Sequence, residues 1–229
     1  TGANGFQNFK KQTKRCRPYS DMKALNEAWQ LLLKQKSVTV DAAKLDLIWT
    51  GRELLGNLFG YEKAEFDSAY VAADTVKMHE KAYIMRSLLT DLDMLNAQHP
   101  FCTVDKWIDQ AREFGQTPEV KDYYEMNARR LITTWGGDLN DYAVRNYSGL
   151  IANYHAKRWE IYIDEAFRSV RTGTPFRDKE RIKATNEFQL SFADKHGEQF
   201  PKYQGIELLS FSRALASKYA TELQSWLTK

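Results

Sequence analysis

The chain has little cysteine, little proline and no long apolar run, and each shortage closes off a class of protein. Of its 229 residues only two are cysteine and five are proline. Cys16 and Cys102 stand far apart without metal-like spacing, so two free thiols are expected rather than a disulfide framework. The histidines (His79, His99, His155 and His196) form no HxxxH or HExxH pair, which argues against a structural or catalytic zinc. No cofactor is expected. A transmembrane helix needs about 18 or more consecutive apolar residues, and none is present. The start at Thr1, without a methionine or a leader, points to a fragment or a processed product. Strand-like runs are also scarce: Val38-Thr39-Val40 stands alone and is too short to found a sheet. Charge of one sign is missing too. With 33 basic against 30 acidic residues the net charge is +3, which gives nucleic acid little to bind.

What is present is helix. Hydrophobic residues make up 43% of the chain, enough to bury a core. Residues 1–19 carry Lys10, Lys11, Lys14, Arg15 and Arg17 and read as a basic, solvated strap or tail. Residues 20–229 read as one domain. Ser20 opens a helix through Met22, Leu25, Trp29 and Leu32. Asp41 opens the next, which turns Leu45, Ile48, Leu55, Leu58 and Phe59 inward. Gly60 leaves open whether it is one long helix or two collinear ones, because glycine costs about 1 kcal/mol there. A further helix, from about 73 to 97, presents Val76, Tyr83, Leu88, Leu92 and Leu95 and stops before Pro100. Thr103 starts a short helix ending at Gly115, and Thr117-Pro118-Glu119 restarts the chain with a cap, a proline and an acid in order. Later helices carry Trp159, Ile163 and Phe167, then Ile182, Phe188 and Phe192. The last, from about 205, carries Leu209, Tyr219, Leu223 and Trp226. The expected fold is all-α: a single domain of about eight long packed antiparallel helices without significant sheet.

The stretch 123–167 is the most patterned. Tyr124, Ala128, Leu131 and Trp135 share one helical face, and Gly136 and Gly137 are expected to end that helix. A helical stripe restarts with Tyr147, Leu150, Ile151 and Tyr154, opposite a small polar face of Tyr142, Asn146, Gly149 and Asn153. A break is expected near His155. Asp141 fits an N-cap, and the sequon Asn146-Tyr147-Ser148, falling inside the expected helix, reads as incidental. Arg129, Arg130, Arg145 and Arg158 fit solvated faces or local ion pairs better than a sulfated ligand.

The run Trp135-Gly136-Gly137, Leu139-Asn140-Asp141-Tyr142-Ala143, Gly149-Leu150-Ile151-Ala152-Asn153-Tyr154 and Arg158-Trp159 resembles the C-terminal helical domain of the alpha-N-acetylglucosaminidase family of glycoside hydrolases. Trp107-Ile108-Asp109-Gln110-Ala111-Arg112 and Tyr124-Glu125-Met126-Asn127-Ala128-Arg129 add to it. The resemblance covers most of the chain beyond about residue 20 and is loose from about Ile182 onward. It implies a retaining, exo-acting enzyme whose two carboxyl groups lie on a (β/α) barrel. Nothing here alternates strand and helix as a barrel requires, so the catalytic pair is expected outside this chain. Asp138, Asp141 and Glu125 gain no catalytic role from the resemblance. It assigns Trp135, Tyr142 and Leu139 to the wall of a pocket for a terminal N-acetylglucosamine. The Gly136–Asp141 loop is shorter than the family pattern, a departure that bears most on Leu139. From spacing alone, a tryptophan on an apolar stripe is more often core, and a non-catalytic scaffold or interaction module is the competing reading. The implied partners are a catalytic barrel of the same polypeptide and an N-acetylglucosamine-terminated glycan, with no nucleic acid and no membrane. A secreted, periplasmic or lysosomal location follows if the resemblance holds.

Overall fold

A computed structural model describes residues 21–135, 145–198 and 200–228. Nine α-helices form among them: α1 (Met22–Leu33), α2 (Asp41–Val71), α3 (Thr75–Asn96), α4 (Val104–Arg112), α5 (Pro118–Leu131), α6 (Ala156–Thr172), α7 (Asp178–Asp194), α8 (Leu208–Lys218) and α9 (Ala220–Leu227). A 3₁₀ turn, Pro100–Cys102, precedes α4, and a π-helical turn, Ile151–His155, leads into α6. Extended pairing among the described residues is confined to one isolated parallel bridge, Thr103 with Ser148. None of these helices is long and apolar enough to cross a membrane.

The centre is α2 against α3. Six consecutive residues of α2, Leu54 to Phe59, are all buried, so this helix is covered on every side. That enclosure explains why Gly60 does not interrupt it: a cost of about 1 kcal/mol is small beside packing all round. The chain runs as one helix of 31 residues. Around the pair lie α1, α6, α8 and α9, and their buried residues join one apolar core with Trp29, Phe59, Phe66, Leu88, Leu92, Trp159 and Leu215 among its members. Gly51 makes room for Trp29, since a Cβ there would stand 2.9 Å from the indole.

Several sequence expectations shift. Asp21 rather than Ser20 caps α1, accepting from the amides of Lys23 and Ala24. Asp41 lies in the first turn of α2 and pairs with Lys44 instead of capping the helix. Val76 and Tyr83 are exposed, because the inward stripe of α3 is Met78, Ala82, Met85, Leu89 and Leu92. The C-terminal helix divides at Tyr219, whose buried hydroxyl donates to Asp91 at 2.5 Å. Cys102 is a buried free thiol. Cys16 and the basic strap lie outside the described residues.

A second, smaller apolar cluster joins α4, α5 and α7: Val104, Ile108, Ile132, Leu150, Tyr154, Phe192 and Phe200. This cluster is where the patterned stretch sits.

Candidate functional site

α5 is amphipathic in the reverse sense to an ordinary surface helix. Its buried residues are Glu125, Ala128 and Arg129, while Val120, Tyr123, Tyr124 and Leu131 are exposed. The expected common face of Tyr124, Ala128, Leu131 and Trp135 is therefore split, with Ala128 inside and the other three outside. The inward polar groups are satisfied. Glu125 accepts from Arg129 at 2.8 Å and 3.0 Å and from Arg112 at 2.6 Å. Arg129, with no exposed surface, also donates to Glu198 at 3.1 Å. Its guanidinium lies 4.9 Å and 5.2 Å from the ring centres of Phe192 and Phe200. Held this way, Glu125 has no free edge for acid–base work. Arg130 reaches Asp194 at 2.7 Å on the surface.

α5 ends at Leu131, earlier than the glycines suggested. The chain then tightens through Ile132, Thr133 and Thr134, all buried. Trp135 adopts a left-handed backbone with φ of 56°, and its amide donates back to the carbonyl of Arg130 at 2.7 Å. Glycine takes this conformation freely, whereas a bulky residue there is strained. The side chain of Trp135 is 46% exposed, so it is not part of the bundle's core. Leu139, Tyr142, Asp138 and Asp141 lie outside the described residues.

From Arg145 to Gly149 the chain is irregular, and helix begins at Leu150. The sequon therefore precedes the helix instead of lying within it. Of the expected polar face, Asn146 and Gly149 lie before the helix and only Asn153 lies in it, so these three do not form one helical face. No break occurs at His155 either, because the π-turn carries the helix directly into α6.

Three contacts fix this segment. Ser148 bridges the segment before α4, its amide donating to Cys102 at 2.7 Å and its carbonyl accepting from Val104 at 3.0 Å. Gly149 has φ of 84°, and a Cβ there would stand 2.7 Å from Val104 and 2.9 Å from Phe200, so only glycine fits. Asp93, fully buried near the end of α3, accepts from the amides of Gly149 at 2.7 Å and Ala152 at 3.0 Å. Its other oxygen accepts from the hydroxyls of Tyr203 at 3.0 Å and Ser148 at 3.3 Å. Burial pushes this carboxyl above its ordinary range, against the pull of those four donors. Further along the same segment, at the end of the π-turn, the ring of His155 bonds the carbonyl of Arg145 at 2.8 Å. Burial, helped by the charge of Arg158, lowers this imidazole to about 3, so it stays neutral near pH 7 and donates.

Sequence reasoning missed Asp93 and His155. A signal for the first existed: Leu89, Asp93 and Asn96 fall on the inward stripe of α3, where an acid is out of place unless it serves as an acceptor. Among the described residues, no three His, Cys, Asp or Glu side chains gather as a metal site.

A family model described as the alpha-N-acetylglucosaminidase (NAGLU) C-terminal domain matches residues 3–218. Human alpha-N-acetylglucosaminidase is 30% identical over 199 residues, covering 84% of this chain and 26% of that protein. A family 89 glycoside hydrolase from Clostridium perfringens, solved in complex with PUGNAc, superposes with a TM-score of 0.79 at 20% identity, covering 94% of this chain and 26% of the other. A doubly substituted form from the same organism, solved with its substrate GlcNAc-alpha-1,4-galactose, gives 0.73 at 22% identity, covering 86% and 23%. The chain thus spans about a quarter of the length of the relatives it matches. On the family match and the human relative, this chain belongs to the alpha-N-acetylglucosaminidase C-terminal domain family.

Proposed function

We propose that this chain is the helical domain of a larger retaining exo-glycosidase, that it packs on a catalytic (β/α) barrel, and that Trp135, Leu139 and Tyr142 line the pocket for a terminal N-acetylglucosamine. The observation that carries the reading is Trp135 itself. A tryptophan held in a strained backbone conformation and left 46% exposed serves nothing in the core of this bundle. It follows an outward stripe of Tyr124 and Leu131, an apolar face of the kind that meets a partner domain. An indole face packs against the C–H face of a pyranose, and a tyrosine hydroxyl bonds a sugar hydroxyl, excluding water from the reacting centre. The substrates are glycans capped by N-acetylglucosamine, such as glycosaminoglycan or mucin-type chains; the names of the relatives support the N-acetylglucosamine cap. The two carboxyl groups that cleave the bond belong to the barrel. A purely scaffolding role requires Trp135 to be closed off by the chain's own residues, and its exposure does not favour that.

Trp135→Ala in the full-length enzyme tests the proposal. kcat/KM toward an aryl N-acetyl-alpha-glucosaminide falls by about one to two orders of magnitude with little change in Tm. The isolated helical chain releases no nitrophenol from the same compound. Full activity of the variant, or turnover by the isolated chain, overturns the reading.

A further inference from the structure

We infer that the end of the bundle carrying Trp49, Arg52 and Phe101 is the face that docks the catalytic domain, and that a carboxylate of that domain meets the Arg52 guanidinium. This rests on the reading above that the chain packs on a barrel, and it names where. Arg52 stands on α2, half-buried, and its Nε is buried without a hydrogen-bond partner. Among the described residues no carboxylate pairs with it. Its neighbour in the chain, Glu53, accepts instead from the side-chain amide of Asn57 at 2.8 Å. Burial draws the guanidinium below its ordinary range, and the nearby Cys102, Glu53 and Tyr147 offset this only in part. A cation taken out of water normally has its counter-charge beside it. Elsewhere in the chain that rule holds: Arg129 has Glu125 and Glu198, and Arg112 has Asp122 and Glu125.

The surroundings say what kind of partner supplies the missing charge. Trp49, one turn before Arg52 on α2, lies against the Cys102 thiol and is 44% exposed. Phe101 precedes that cysteine and is exposed too, with His99 stacked at 5.8 Å and the Lys106 ammonium 4.5 Å from its ring centre. Trp135 stands at this same end of the bundle, because Ile132, just before it, packs with Val104, just after Cys102. Exposed tryptophan and phenylalanine around a largely desolvated arginine is the composition found at the centre of a protein interface. Sugar hydroxyls need many hydrogen-bonding groups, whereas the exposed neighbours here are chiefly rings. With Nε sealed, what can be met from outside is the end of the guanidinium. Its two Nη groups match the two oxygens of one Asp or Glu side chain.

In the full-length enzyme, Phe101 is replaced by the photo-cross-linker p-benzoylphenylalanine, and the peptides joined on irradiation are identified by mass spectrometry. Phe101 is exposed and outside both apolar clusters, so the replacement leaves the fold intact. The expected cross-link joins this position to a peptide of the catalytic domain. Cross-links confined to the helical chain, or made to a second copy of the enzyme, overturn the inference. Arg52→Glu and Arg52→Lys then test the charge. An anion set against the partner carboxylate repels it, so Arg52→Glu cuts the cross-link yield by about fivefold or more, while Arg52→Lys keeps most of it. Parent yield in Arg52→Glu overturns the inference. The same holds if Arg52→Glu keeps the yield and raises KM about tenfold for a sulfated substrate alone, the mark of an anionic glycan as occupant. If Arg52→Glu does not fold, Arg52→Met takes its place with a smaller loss of yield, and parent yield there overturns the inference. Trp135→Ala separates the two readings. Full activity there beside the expected cross-link removes the pocket and leaves the docking face. Loss there beside cross-links confined to the helical chain removes only the docking face.

Discussion

Around α2 and α3 the interior is mainly leucine, isoleucine, phenylalanine and tryptophan, whereas around α5 and α7 a smaller apolar cluster is joined by a buried guanidinium held between glutamates and two phenylalanine rings. The first kind of interior is non-directional and responds to volume. The second is directional, because an ion pair out of water holds only while its partners and its distances are right. Trp135 and the segment 145–149 belong to the second region. On the proposed pocket reading, a group that stands over a ligand is thereby supported by contacts that specify place, while the apolar core supplies the stability behind them.

The widest test of this contrast is Arg129→Met. It strips Glu125 of its main partner inside the fold, and the expected loss is about 3 kcal/mol or more by chemical denaturation. Replacing Glu125 by Leu in the same chain should recover at least half of that, since two missing charges leave less unsatisfied than one. A loss under about 1 kcal/mol for Arg129→Met shows that the ionic interior contributes little.

Gly51→Ala probes the other region and should act through volume alone. The added methyl meets the Trp29 indole at 2.9 Å. Overpacking of this kind costs about 1–3 kcal/mol, partly offset by better helix propensity, so a net loss of about 1–2 kcal/mol is expected. No change in midpoint would mean that α1 moves aside freely.

The smallest effect sharpens the contrast through pH. His155, in the second region, titrates at about 3 when folded, below its ordinary value of 6.5. The unfolded chain takes up this proton first, so the stability it contributes is present above about pH 6.5 and is lost as pH falls toward 3. Between pH 7 and 5.5 the loss is about 1 kcal/mol, and His155→Gln should flatten it. In the first region, burial raises the carboxyl of Glu165, but hydrogen bonds from Arg168 and Arg177 outweigh it and bring the group down to about 2. Its contribution is lost only below about pH 4.5, so the two groups act in separate windows.

The order of elements could be read from local signals. Thr103 and Thr117 accept from the third amide of their helices, Pro118 opens α5, and Gly173 closes α6 in the left-handed conformation. These effects act within a turn and need no knowledge of the rest of the fold. The α5 corner was legible only in part. Spacing put Trp135 on the stripe of Tyr124 and Leu131, but the side on which that stripe lies depends on which helices cover α5. α7 meets it with the carbonyl of Phe192, and the carboxylate of Glu198 just beyond α7 adds to this, so the charged side is taken inward. Leu139 and Tyr142 rest on the family resemblance.

By itself the sequence determined an all-helical chain, several of its helix starts and its family, because periodicity, capping and a long ordered motif are properties of neighbouring residues. Tertiary structure alone decided that α2 is enclosed on every side, that an arginine can be core, that Trp135 is left outside, and that Asp93 holds a segment 56 residues away. Each of those depends on which surfaces lose water together, and that is fixed only when distant parts of the chain pack.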